Sequence, residues 1–168
     1  KIQSLHLKLN NKVNDYIHKA TTVLVNQLVS NKISNLVIGY NKGWKQDINI
    51  GTRNNQNFIQ IPFYKVISQL EYKCNLVGIK VSLQEESYTS KCSFLDNEEI
   101  RKHGKYKGTR TKRGLYVSSK GKEINADLNG AMNILKKYLI RKEVWNLAIV
   151  KDCIEVCSTP NVGKVRIP

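Results

Sequence analysis

No two of the four cysteines, at positions 74, 92, 153 and 157, form a CxxC pair, so the spacing shows neither a zinc ribbon nor a thioredoxin-type redox site. No run approaches the roughly 20 apolar residues that span a bilayer. Lys1-Ile2-Gln3-Ser4 lacks the apolar stretch of a secretory signal. These absences predict a cytoplasmic chain with reduced thiols and no membrane partner. Repeats and low-complexity tracts are also missing. Met132 is the sole methionine and the first residue is lysine, which suggests a chain cut from a longer protein. Acid is scarce: 13 Asp and Glu stand against 28 Lys and Arg, a formal net charge of +15. That exceeds what solubility needs and favours a polyanionic partner, nucleic acid before an anionic membrane surface.

The 168 residues, 40% of them apolar, are enough for one domain with a sizeable core. Val13, Ile17, Ala20, Leu24 and Leu28 recur at three- and four-residue steps and predict an amphipathic helix over about residues 9–30. Leu36-Val37-Ile38 reads as a short buried strand of a parallel sheet. Residues 40–58, polar and without period, read as a long loop. Pro62 opens a second helix whose stripe is Phe63, Val66, Ile67, Leu70 and Cys74, and Gly78 ends it. Ile79, Val81 and Leu83 then alternate with polar residues as a strand does. A basic stretch follows, with a hairpin expected around Gly114-Leu115-Tyr116-Val117. Leu128, Ala131, Met132, Leu135 and Leu139 form a third stripe, with Asp127 at the N-cap position. The alternation indicates an α/β protein. Two parallel strands flanked by three helices leave sheet edges and faces without partners, so strands are expected to be missing.

Chemistry concentrates at two acidic spots, Glu85-Glu86 and Asp127, on either side of a segment of one sign. Residues 101–122 hold nine Lys and Arg and no Asp or Glu. Carboxylates that gather a divalent metal, beside cations that hold phosphate, are what a metal-dependent nuclease needs. The plain alternatives are a helix cap for Asp127, a solvated strand end for Glu85-Glu86, and a solubility face for Arg101, Lys102, Lys105, Lys107, Arg110, Lys112 and Arg113. A long cationic run repels itself unless an anion is present, which favours phosphate contact. Trp44, between Lys42 and Lys45, is a candidate for stacking on a base, with core packing the alternative. His18 is a candidate surface or phosphate contact. Thr89 and Ser90 have no His-acid arrangement around them that would make a covalent nucleophile.

Gln84-Glu85-Glu86-Ser87-Tyr88-Thr89-Ser90-Lys91-Cys92-Ser93 and Ile124-Asn125-Ala126-Asp127-Leu128-Asn129-Gly130-Ala131-Met132-Asn133-Ile134 resemble the TnpB family, the OrfB proteins of insertion sequences, related to type V CRISPR effectors. Tyr16-Ile17-His18-Lys19, Tyr72-Lys73-Cys74 and Gly78-Ile79-Lys80-Val81 add to the likeness, which extends to about residue 140. The resemblance implies a ribonuclease H-like, RuvC-type nuclease lobe of an RNA-guided DNA endonuclease. Its partners would be DNA, guide RNA and the remaining N-terminal part of the same protein. Such lobes hold two magnesium ions with three acids. Asp127 matches the last, and the first would lie upstream of Lys1 with the missing strands. The Glu often ends the strand that here reads Leu36-Val37-Ile38-Gly39. With Gly39 there, the role falls to Glu86 by its place before Tyr88-Thr89-Ser90, with Glu85 still open.

Many relatives carry a zinc ribbon in the insert. Cys92 has no second cysteine nearby, so no zinc is expected, and a basic hairpin over about residues 88–125 would take the ribbon's place. The expected organisation is an incomplete nuclease domain over residues 1–142 and a tail over 143–168. The fragment would be unstable and inactive alone. The rival reading is a non-catalytic, nucleic-acid-binding remnant of an insertion-sequence protein. Under the nuclease reading, Asp127 and one of Glu85 and Glu86 come close enough to share a cation.

Overall fold

The computed structural model describes residues 2–41, 62–146 and 148–149. The readings of residues 42–61 and of Cys153 and Cys157 fall outside these. The described residues form a mixed α/β structure with small sheets, in two compact units: residues 2–36 with 62–82, and residues 37–41 with 83–146 and 148–149.

In the first unit, helix α1 (Ile2–Ser30) and helix α2 (Phe63–Leu76) pack on each other. Ile17, Thr21 and Val25, four residues apart, are the buried line of α1, and Leu70 and Cys74 answer from α2. Lys73 crosses between the helices, its Nζ donating at 2.7 Å to the carbonyl of His18 and to the hydroxyls of Thr21 and Thr22. Helix α1 begins seven residues before the start predicted from its stripe. Ile2, Leu5, Leu7 and Leu9 are exposed, so no periodic face marks those turns. Pro62 stands at the N-cap of α2, where its missing N–H costs nothing, and Gly78 after the helix takes φ +75°.

Strands β1 (Asn35–Tyr40) and β2 (Lys80–Glu85) form a two-stranded sheet. Lys80 N–H donates to Ser34 O at their entry, and Asn41 bonds Glu86 where both end. Both strands therefore run in the same sense. The alternation read from Ile79, Val81 and Leu83 fails at its end. Leu83 is 37% exposed, Gln84 is buried, and the Gln84 Oε1 lacks a hydrogen-bond partner.

The second unit carries an antiparallel sheet, ordered β3 (Thr109–Lys112), β4 (Leu115–Val117), β5 (Glu123–Asn125), and helix α3 (Ala126–Arg141). The β3–β4 turn is Arg113-Gly114, with Gly114 at φ +81° and an irregularity between Arg110 and Lys112. Tyr116, Ile124 and Ala126 make the apolar core, with Leu95 and Leu128 against it. Gly108 is needed beside it, because a Cβ there would lie 2.5 Å from the Tyr116 ring and 2.7 Å from Val117 O.

The rest of this interior is polar. Asn129 Oδ1 accepts from Phe94 N–H and its Nδ2 donates to Cys92 O, while Asn133 Nδ2 donates to Thr89 O and Cys92 O. Two carboxylates close the segment between β2 and β3. Buried Glu98 accepts from the N–H of Ser93 and of Lys107. Asp96 accepts from the hydroxyls of Ser93 and Ser119 and from Ser119 N–H. Cys92 is buried, its thiol against the carbonyls of Glu99 and Arg101.

Burial raises the Asp96 carboxyl, but the bonds from Ser119 and Ser93 and the nearby Lys107 outweigh it and hold the group below the ordinary carboxylate range. A depressed pKa adds stability that is fully present above about pH 4 and is lost as pH falls through the lowered value. We expect the melting temperature to fall on acidification below pH about 4, and Asp96→Asn to make that acid limb shallower. Melting curves from pH 2 to 6 check this; an unchanged limb in the variant contradicts it.

Candidate nuclease site

Sequence and structure differ at Asp127. The N-cap of α3 is Asn125, whose Oδ1 accepts from the N–H of Asp127 and of Leu128 at 2.9 and 3.1 Å. Two cap-forming residues stand two apart, and Asn125 takes the role because its amide oxygen reaches both N–H groups. Asp127 sits one position further in, exposed, in the first turn of the helix, where the helix dipole favours an anion.

The two glutamates at the end of β2 have different surroundings. Glu85 Oε1 accepts from Ser87 N–H, and Oε2 is paired with the ammonium of Lys137 on α3. Burial raises its carboxyl, but the bonds from Lys137 and Ser87 more than reverse this and leave it below its ordinary value. Glu86 is half-buried. Its Oε1 accepts from Asn41 Nδ2 at 3.2 Å, and its N–H faces Asn41 Oδ1 at 3.4 Å. Asn41 positions this carboxylate and was not a sequence candidate.

Gly39 makes the space for it. A Cβ on Gly39 would stand 2.5 Å from Glu86 Oε2 and 2.6 Å from Ile134 Cδ1. Glu86 thus lies over α3 near Ile134. Asp127, Gly130, Ala131 and Ile134 are spaced to form one stripe of that helix. Asp127 and Ile134 are separated by about 10 Å along the axis, less the lean of the Ile134 side chain toward the helix N-terminus. A Cβ on Gly130, between them, would meet nothing within 4 Å. Glu86 thus approaches the Ile134 end of the stripe that Asp127 begins, and the other candidate, Glu85, is neutralised by Lys137.

Carboxylate oxygens are the ligands magnesium prefers. Among the described residues no group of three His, Cys, Asp or Glu is placed to hold a metal ion; Glu86 and Asp127 each supply donors of the type magnesium takes.

Arg101, Lys102, Lys105, Lys107, Arg110, Lys112 and Arg113 are all exposed. All four residues of β3 face solvent, which makes it a basic strand. Arg101 does have a counter-acid, Glu99, with Nε 2.7 Å from Oε2; that acid lies just before the run. His18 is exposed, and its carbonyl serves Lys73. Lys42, Trp44 and Lys45 lie outside the described residues. Asn129 and Asn133 were also missed. Their signal was amides four residues apart at positions where an amphipathic helix normally buries apolar groups.

Residues 63–134 match the family model "Cas12f1-like, TNB domain". Over 92 residues the chain is 35% identical to a TnpB-like protein, ORF457, of Acidianus two-tailed virus, covering 53% of this chain and 18% of that protein. The cryo-EM structure of a Cas12f1-sgRNA-target DNA complex matches 79% of this chain and 36% of its own, with TM-score 0.56 and 18% identity, a likeness of fold. The chain spans about a fifth of the curated relative and about a third of the solved one. No described helix is long and apolar enough to cross a membrane.

Proposed function

We propose that this chain, which resembles Cas12f1-like proteins over residues 63–134 and a TnpB-like protein over 92 residues, is part of the nuclease lobe of a transposon-associated, RNA-guided DNA endonuclease. The lobe is of the RuvC type, with the ribonuclease H-like arrangement that same-sense strands β1 and β2 and helix α3 would belong to. The observation that supports the reading is that Glu86 approaches Ile134 on the stripe of α3 that Asp127 begins, while Asn125 does the capping and Lys137 neutralises Glu85.

Glu86 and Asp127 would each offer oxygens to magnesium, which when bound supplies Lewis acidity toward a phosphodiester and a more acidic water. Asn41 holds the Glu86 carboxylate in place, and Gly39 leaves it room. The exposed cations of residues 101–113 lie along the backbone of DNA or guide RNA and offset its charge. The Asp96 and Glu98 clips hold the segment between β2 and β3 together.

The test is magnesium-dependent DNA cleavage by the protein as expressed from its own gene. Loss of cutting in both Glu86→Gln and Asp127→Asn, with DNA binding retained, supports the reading. Undiminished cutting by Asp127→Asn sinks it. Nucleic-acid binding by the wild type with no cutting under any divalent metal leaves the non-catalytic remnant instead.

A further inference from the structure

Four non-glycine residues among those described have positive φ: Lys32, Tyr88, Asn97 and Glu143. Lys32 and Glu143 follow the ends of α1 and α3, where a left-handed residue terminates a helix. Asn97 is of a type that tolerates this region. Tyr88, at φ +64°, has neither excuse, and a bulky residue there is an outlier. Its neighbours fix the conformation. Tyr88 O accepts from Lys91 N–H and Cys92 N–H at 3.1 Å, Thr89 bonds Glu86 O through its N–H and its hydroxyl, and Asn133 holds Thr89 O from α3.

Gly or Asn would sit at this position with less strain, yet the chain has a tyrosine, and the residue is 39% exposed. Tyr88 is two positions along the chain from Glu86, on a backbone with little freedom to lose. An exposed aromatic held on such a backbone offers a surface for the face of a base, since every base has one. We propose that Tyr88 is a stacking platform for an unpaired base of the single-stranded DNA led to Glu86, a positioning residue rather than a catalytic one. This rests on the nuclease reading above.

Two variants separate the ring from the backbone. Tyr88→Asn keeps a Cβ and suits positive φ, and Tyr88→Phe keeps the ring. The measurement is fluorescence of a single-stranded DNA carrying 2-aminopurine, titrated with the chain in buffer holding EDTA, so that no metal enters the readout. The wild type and Tyr88→Phe should quench the fluorophore alike. Tyr88→Asn should lose the quenching and bind about tenfold more weakly, while melting at or above the wild-type temperature. Equal quenching and affinity in Tyr88→Asn overturns the inference and leaves the nuclease reading standing. An Asn variant that unfolds also overturns it, because the ring would then be structural. A wild-type chain with no affinity for the oligonucleotide overturns both.

Discussion

Replacing Asn133 by alanine should cost the second unit a large share of its stability. Its Nδ2 donates to two carbonyls, Thr89 O and Cys92 O, on a segment that few apolar residues hold. An unsatisfied buried polar group costs about 1–3 kcal/mol, and alanine leaves Thr89 O without this donor and Cys92 O with Asn129 alone. The expected loss is on the order of 2–5 kcal/mol, against a typical domain stability of about 5–15 kcal/mol. Asn129→Ala removes the partner of Phe94 N–H and the second donor to Cys92 O, so the two changes act on one network and should couple. The double variant should show no cooperative melt. Urea unfolding of the single and double variants checks this, with the slope against denaturant reporting whether a folded unit remains. A double variant that melts like the wild type would mean that the amides are incidental to the fold.

These asparagines also show where sequence reasoning stopped. A 3.6-residue period identifies a helix by its apolar face, and it found α1, α2 and α3 from Ile17, Leu70 and Leu128. It is blind to a face that buries amides, so Asn129 and Asn133 went unread although they tie α3 to the turn carrying Tyr88. It is equally blind to turns whose leucines stay in solvent, hence the missed start of α1 at Ile2. The three-residue strands β4 and β5 are too short for alternation to register. Glycine punctuation located the turn at Gly114, but not which strands would pair. At the candidate site, residue types and motif order were legible for Glu86 and Asp127. Asn41 and Gly39 were not, because each matters only through contact with a residue more than forty positions away. Choosing between Glu85 and Glu86 needed Lys137, which enters from another element. Strand parity carried no information there, since burial along β2 had already changed phase at Leu83 and Gln84.

Adding one methyl group at Gly39 should cost as much activity as removing the Glu86 carboxylate, at little cost in stability. The new Cβ would lie 2.5 Å from Glu86 Oε2 and 2.6 Å from Ile134 Cδ1, and both obstructing atoms are side-chain ends that can move. Overpacking costs about 1–3 kcal/mol where neighbours are fixed; here rotation of two side chains relieves it, and the stability change should stay under about 1 kcal/mol. The carboxylate, however, leaves the position that Asn41 sets for it. Misplacement of a reacting group by about 1 Å can cost on the order of a hundredfold in rate, so Gly39→Ala should lower metal-dependent cleavage at least that far without lowering DNA affinity. Ile134 offers the control. Ile134→Val removes Cδ1 and with it the second clash, leaving the clash with Glu86. If Gly39→Ala acts through the carboxylate, adding Ile134→Val leaves cleavage low. If it acts by pushing α3 away, the double variant recovers, and the effect of Gly39→Ala does not run through the Glu86 carboxylate.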